Sequence, residues 1–133
     1  MSEQFKIEIV NPEKSFLSKE DVTQVVVPAF EGEMGILKDH ISIISFLKPG
    51  LIRVFESGSR EETYYVDDGI IEFKSNCLSI LTSNIFDIKK IDKNFVRDAL
   101  AKAEKDTQNT DISDQTKYLL DQKIEVLKSL TLN

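Results

Sequence analysis

The side chains best suited to chemistry in this 133-residue chain lie between residues 31 and 40. Glu31 and Glu33 supply two carboxylates, and His40 is the single histidine. A histidine titrates near neutral pH, but acid–base catalysis also needs a nucleophile or an orienting carboxylate within reach. Because no Ser-His-Asp or Cys-His pattern accompanies His40, the sequence predicts no catalytic residue and favours a loop histidine in an interface.

Metal and phosphate chemistry are also disfavoured by these residues. A calcium loop needs more oxygen donors at regular intervals than Glu31, Glu33 and Asp39 provide. The glycines at 32 and 35 lack the following Lys-Ser or Lys-Thr of a phosphate-binding loop. Cys77 is the single cysteine, so the chain has no internal disulfide. One cysteine and one histidine are also too few for a cysteine–histidine metal cluster. We therefore expect no metal and no cofactor.

Composition narrows the class of partner. The net charge of −6 and the pI near 4.8 argue against binding to nucleic acid or to anionic lipid. No apolar run is long enough to span a membrane, and the polar start of the chain is not a secretory signal. We therefore expect a protein without direct lipid insertion that stays in the compartment where it is made.

The first two thirds of the chain have the apolar pattern of strands. Phe5, Ile7 and Ile9 alternate with polar residues, and a valine-rich run ends at Pro28, which should stop the strand or place it at an edge. The segment after Pro28 is expected to be a loop that holds both carboxylates and His40. Further strands are predicted at about 22–27, 43–47, 50–56, 60–66, 69–74 and 77–82. Many short strands with close turns indicate an antiparallel sandwich or barrel.

The last third of the chain has helical periodicity instead. Asp92 is a good N-cap for a helix whose apolar stripe starts at Phe95, and a second helix is predicted from about 114 to 130. The polar run 107–113 connects them as an antiparallel hairpin. The predicted fold is α+β, with a β-sandwich domain at 1–86 and a helical hairpin domain at 87–133.

One ordered set of motifs runs through the first half of the chain: a valine-rich strand, Glu31-Gly32-Glu33, Gly35-Ile36, His40, the turn Lys48-Pro49-Gly50 and Arg53. This order of motifs resembles the epsilon subunit of the F-type ATP synthase. Gly69-Ile70-Ile71-Glu72 and Leu78-Ser79-Ile80-Leu81 resemble later strands of that family. The chain departs from the pattern where Lys38-Asp39 replaces Pro-Gly and where Ser42 replaces a proline.

The resemblance implies a non-catalytic subunit of the central stalk, on the cytoplasmic face of an energy-transducing membrane. Its sandwich would link the gamma subunit to the c ring and so couple proton flow to ATP synthesis by other subunits. Glu31, Glu33 and His40 would contact the ring, and the turn at Lys48 would add to this surface. The alternative is a sandwich adaptor or ligand-binding protein unrelated to energy conversion, which a functional monomer would favour.

The resemblance also bears on the helical hairpin. Some family members bind ATP through Ile/Leu-Asp-x-x-Arg-Ala, which makes Ile91 and Asp92 weak candidates. Here Arg97 comes two residues late, about 200° around the helix from the motif position, so a capped helix start is preferred and no tight ATP site is predicted. Lys117, Lys123 and Lys128 would be the residues that meet alpha or beta catalytic subunits if the hairpin inhibits ATP hydrolysis.

Overall fold

The computed structural model describes residues 3–13 and 15–131. The chain divides into two compact units, Met1–Asp87 and Ile88–Asn133. The described part of the first unit contains nine strands, and that of the second contains a short 3₁₀ turn and two α-helices. The strands are β1 (Phe5–Val10), β2 (Ser15–Ala29), β3 (Gly32–Ile36), β4 (Ile43–Leu47), β5 (Gly50–Glu56), β6 (Arg60–Val66), β7 (Gly69–Lys74), β8 (Cys77–Leu81) and β9 (Ile85–Asp87).

The strands form because their apolar residues recur at period 2. In β1, Phe5, Ile7 and Ile9 are buried and alternate with more exposed residues. Similar alternation in β5 and β7 places Ile52, Val54, Ile71 and Phe73 in one core with the rest of the sheet. Successive side chains of a strand point to opposite faces, so this period buries one face of each strand.

The sheet closes around this core. Its strand order is β1-β8-β7-β4-β2-β5-β6-β9, with β3 paired to β2 and a further pairing between β1 and β2. The 15-residue β2 is shared, because its first half pairs with β1 and its second half pairs with β3 and β5. All pairings are antiparallel except the parallel pair β1 and β8. The predicted sandwich is confirmed, whereas the parallel pair was not foreseen.

The expectation of a loop directly after Pro28 is wrong. β2 continues through Pro28 to Ala29, and β3 then pairs back along it, with Ala29 opposite Gly32. Pro28 is tolerated because it lacks only the N–H donor, while its carbonyl accepts a hydrogen bond from Lys48 N at 3.0 Å. Met34 and the buried Ile36 alternate with exposed residues, so this segment has a strand period that its glycines concealed.

The second unit is a pair of capped helices. α1 (Lys93–Thr107) begins after Asp92, whose carboxylate accepts a hydrogen bond from Phe95 N at 2.8 Å. α2 (Asp114–Thr131) begins after Ser113, whose hydroxyl oxygen accepts from Thr116 N at 3.1 Å. The two helices pack on each other, and their buried side chains are Val96, Ala103 and Leu127. Among the described residues, none of the helices is long and apolar enough to cross a membrane.

Candidate interaction surface

Four large apolar side chains are exposed on neighbouring strands of the first unit. Ile44 and Phe46 of β4 are 68% and 60% exposed, and Ile70 of β7 and Leu81 of β8 are 41% and 51% exposed. Phe46 lies opposite Ile70, and Ile70 lies opposite Leu81, so these three form one row across three strands. We call Ile44, Phe46, Ile70 and Leu81 the apolar face.

The apolar face is distinct from the core. On the same three strands, Leu47, Ile71 and Ile80 are buried. Strand alternation therefore places the exposed set on the outer side of the sheet. In the next row, Ile44 lies opposite Glu72, and Glu72 lies opposite Ser79, so this row is partly polar. A contiguous apolar patch beside polar residues is typical of a protein–protein contact site.

The apolar face was not predicted from the sequence. β4 and β7 were predicted as strands, but their apolar residues were not assigned to one side or the other. The signal was present, because Ile43-Ile44-Ser45-Phe46-Leu47 and Gly69-Ile70-Ile71 carry apolar residues at both parities of the strand period. A strand that is apolar on both sides must bury its second side against something.

A second candidate surface lies at the turn between β2 and β3. Phe30 N donates to Phe46 O at 3.1 Å, and Lys48 N donates to Pro28 O at 3.0 Å, so the turn is tied to the end of β4. These bonds bring the predicted contacts Glu31, Glu33 and Lys48 to one end of the unit. Both glutamates are exposed and Lys48 is half-buried. We call Glu31, Glu33 and Lys48 the polar end.

His40 does not share a loop with the two glutamates, so that prediction is wrong. Glu31 precedes β3 and Glu33 lies on it, whereas His40 follows it. The five residues of β3 span roughly 16 Å at about 3.3 Å per residue. His40 lies in the loop between β3 and β4, and its half-buried ring packs edge-on against Phe73 with centroids 5.9 Å apart. Its Nδ1 lies 2.7 Å from Ile41 O. The histidine is therefore engaged in holding its own loop.

The weak ATP candidates line a cavity of about 430 Å³ between the start of α1 and the end of α2. The cavity is lined by, among others, Ile88, Ile91, Val96, Leu130, Asp92 and Arg97. Asp92 is already used as the helix cap, as the sequence predicted. Arg97 shares the cavity with Ile91 and Asp92, a proximity that the motif spacing did not indicate. The absence of a tight ATP site stays a prediction.

Side chains of the types that can bind a metal ion are dispersed in the part of the chain that the structure describes. Within residues 3–13 and 15–131, no three His, Cys, Asp or Glu side chains are grouped so that they could hold a metal ion. Cys77 is half-buried at the start of β8, with its Sγ 4.0 Å from Ser79 Oγ. It occupies the strand-start position that the sequence predicted.

Known proteins resemble the chain in both sequence and fold. Residues 4–88 match the family model described as the beta-sandwich domain of the ATP synthase delta/epsilon chain. The chain is 72% identical over 130 residues to the ATP synthase epsilon chain of Pelagibacter ubique (strain HTCC1062), covering 98% of this chain and 99% of that protein. It is 41% identical over 105 residues to the epsilon chain of Dichelobacter nodosus (strain VCS1703A), covering 79% and 73% respectively.

Two solved structures share the fold. A chain of the Euglena gracilis mitochondrial ATP synthase, solved with OSCP, F1 and the c ring, superposes with a TM-score of 0.78 at 21% identity, covering 99% of this chain and 82% of that one. A chain of the central stalk and c ring of the Tetrahymena thermophila mitochondrial ATP synthase superposes with a TM-score of 0.65 at 14% identity, covering 95% of both chains. The sandwich, the two helices and the matching sequences lead to one conclusion: the chain belongs to the epsilon-chain family of the ATP synthase.

Proposed function

We propose that the chain is a non-catalytic rotor subunit that links the gamma subunit to the c ring. In this role it transmits the rotation driven by transmembrane proton flow to the catalytic head, where other subunits make ATP. The subunit would sit as a peripheral protein on the cytoplasmic face of the energy-transducing membrane. The observation that carries the proposal is the apolar face on a closed, strand-rich unit of an epsilon-family chain.

The apolar face is assigned to the gamma subunit. A subunit that transmits torque needs a contact that does not slip, and four large side chains on paired strands are held in fixed positions by the sheet. Burial of apolar surface stabilises such a contact by about 25 cal/mol per Å². Aromatic residues such as Phe46 commonly dominate protein–protein contacts. The neighbouring polar row then limits the ways in which gamma can dock.

The polar end is assigned to the c ring. Glu31 in the turn and Glu33 at the start of β3 are exposed, and backbone hydrogen bonds fix this end to β4. Lys48 belongs to the same end, because its N donates to Pro28 O. Charged groups of both signs set the register of a contact more than its strength. A stalk that turns with the ring needs that register. We expect Glu31→Lys with Glu33→Lys to lower proton-driven ATP synthesis without lowering the melting temperature.

His40 is retained as a partner contact, in the loop that leads into β4. Its loop joins β3 to β4 and leads directly to Ile44, the first residue of that face. The same residue supports the proposed lack of catalysis, because the single histidine of the chain is already engaged with Phe73 and with the carbonyl of Ile41. A catalytic base would need an orienting partner and access to a substrate.

The helical hairpin is proposed to restrain ATP hydrolysis through the catalytic alpha or beta subunits. Along α2, Lys117 and Lys128 lie within about 20° of each other, whereas Lys123 lies roughly 120–140° away. Asp121 lies about 40° from Lys117, so the positive stripe is interrupted. The test is to delete residues from about 108 onward and to measure hydrolysis by the assembled complex. A higher rate supports inhibition, and an unchanged rate removes it.

The rotor assignment is tested by mixing the purified chain with the gamma subunit of the same complex and separating the mixture by size exclusion. We expect co-elution at a ratio near one to one. Clean separation of two folded proteins would instead favour the adaptor interpretation.

ATP titration of the chain alone should show no micromolar binding. Heat of binding at that concentration would overturn the prediction that the cavity at Ile91 and Asp92 holds no tight ATP site.

A further inference from the structure

Two side chains connect the loop after β3 to the turn between β7 and β8. Asp39 N donates a hydrogen bond to Asn76 Oδ1 at 2.7 Å, and Asn76 Nδ2 donates to Asp39 Oδ1 at 3.0 Å. The two residues are 37 positions apart in sequence. The contact is reciprocal, because each residue both donates and accepts. We call Asp39 and Asn76 the clasp.

The backbone is shaped for this contact. Asp39 has a φ of 66° and Asn76 has a φ of 56°, both in the left-handed region. Aspartate and asparagine are the non-glycine residues that adopt this region most readily. His40 N donates to Leu37 O at 3.1 Å and so closes a turn that contains Asp39. The local conformation of each partner therefore suits the clasp before the two side chains meet.

The loop held by the clasp carries apolar side chains. Leu37 is 54% exposed and Ile41 is 76% exposed. The β7–β8 turn lies at the same end of the sheet as the start of β4, since Ile43 pairs with Phe73 and Lys74 pairs with Cys77. The loop that carries Leu37 and Ile41 is therefore held at the Ile44 end of the apolar face.

We propose that the clasp positions Leu37 and Ile41 as an extension of the apolar face, so that both contact the gamma subunit. The inference rests on the proposed function and names the residues that arrange part of its contact surface. Asp39 and Asn76 are positioning residues. They act through the loop, while Leu37 and Ile41 make the contact.

The physical reason is preorganisation. A loop that must become ordered on binding lowers affinity by the entropy lost in ordering it. The clasp orders the loop in the free protein through two hydrogen bonds, one of which is accepted by a carboxylate. Each such bond has a modest net value in water. Loss of the clasp should therefore weaken binding to gamma by about fivefold.

The test uses the full chain and measures its dissociation constant for gamma together with its melting temperature. Asn76→Gly and Asp39→Gly remove the side chains and keep the positive φ accessible. Asp39→Asn keeps an acceptor oxygen and the preference for a positive φ, so this variant should bind gamma with parental affinity. Asn109→Gly is the matched control, because Asn109 is another asparagine whose Oδ1 accepts a backbone hydrogen bond, here the local one from Asp111 N at 2.9 Å.

We expect Asn76→Gly, which removes both bonds, to bind gamma about fivefold more weakly. Asp39→Gly keeps the bond from its backbone N to Asn76 Oδ1 and should lose less, and the double variant should lose no more than Asn76→Gly alone. Ile41→Ser should weaken binding in the parent and have a smaller effect in the Asn76→Gly background. If the clasp only stabilised the fold, Ile41→Ser would weaken binding equally in the parent and in the Asn76→Gly background. Parental affinity in both glycine variants, or losses that add, would overturn the inference.

The outcome also separates the inference from the proposed function. If Phe46→Thr weakens binding while the clasp variants do not, the clasp proposal alone is refuted. If Phe46→Thr also binds gamma with parental affinity, the assignment of the apolar face is refuted as well.

Discussion

Replacing Phe46 with threonine should weaken binding to the gamma subunit without unfolding the chain. Phe46 lies in the three-residue row of the apolar face, opposite Ile70. Threonine is β-branched and suits a strand. Because the side chain projects outward, the substitution creates no cavity in the core. An exposed substitution of this kind usually changes the free energy of unfolding by less than about 0.5 kcal/mol.

The size of the effect follows from the exposed area of the ring. Phe46 is 60% exposed, and an aromatic side chain has roughly 200 Å² to bury. A contact that covers the ring would remove about 120 Å² from water, or about 3 kcal/mol. Threonine keeps part of this contact. We therefore expect a loss of about 2 kcal/mol, which is roughly a 30-fold higher dissociation constant.

The assay is isothermal titration of gamma with the parent and variant chains at equal salt concentration, with melting temperatures measured in parallel. The matched control is Tyr118→Ser, which removes another exposed aromatic side chain, 42% exposed, from α2. The control should keep its affinity. Parental affinity in Phe46→Thr, or an equal loss in both variants, would refute the reasoning.

Three further predictions concern stability. Gly50→Ala should destabilise the chain by about 1–3 kcal/mol in urea unfolding, because its Cβ would lie 2.5 Å from Pro28 Cβ, whereas Gly35→Ala would meet only a flexible side chain atom at 3.4 Å and should be mild. Asp92→Ala should lower the free energy of unfolding by about 1 kcal/mol, since it removes the 2.8 Å cap bond. Circular dichroism should show the helices melting at a lower temperature. Burial, with nearby carboxylates, raises the pKa of Tyr64 from 10.0 to about 12. The folded protein therefore holds this phenol proton more tightly than the unfolded chain, so this contribution to stability is complete below pH 10 and falls by roughly 1.4 kcal/mol per pH unit as the pH rises towards 12. Tyr64→Phe should remove that part of the alkaline loss, and an unchanged pH profile would contradict the assignment.

Most of the strands could be predicted because they are amphipathic. Phe5, Ile7 and Ile9 bury one face of β1 by simple alternation, and the turns that follow contain glycine, serine or asparagine. The two helices were predictable from their 3.6-residue period and from Asp92 as a cap. The parallel pairing of β1 with β8 was not predictable, because it joins strands far apart in sequence and depends on how the whole sheet closes.

The hairpin after Pro28 shows where local rules were outweighed. Proline and two glycines indicated a loop, yet β3 forms because Met34 and Ile36 alternate with exposed residues and Pro28 loses only a donor. This error also placed His40 beside the glutamates. The apolar face could have been found by assigning each apolar residue of β4 and β7 to one side of its strand. The clasp could not, since it depends on a contact across 37 residues.

We propose that the chain couples rotation of the c ring to the catalytic head through gamma. The most direct measurement compares proton-driven ATP synthesis in vesicles that contain the complete complex with synthesis by the complex assembled without this chain. We predict that omission abolishes synthesis while ATP hydrolysis by the catalytic head continues, and that adding the purified chain restores synthesis. Synthesis at the full rate without the chain would contradict the account.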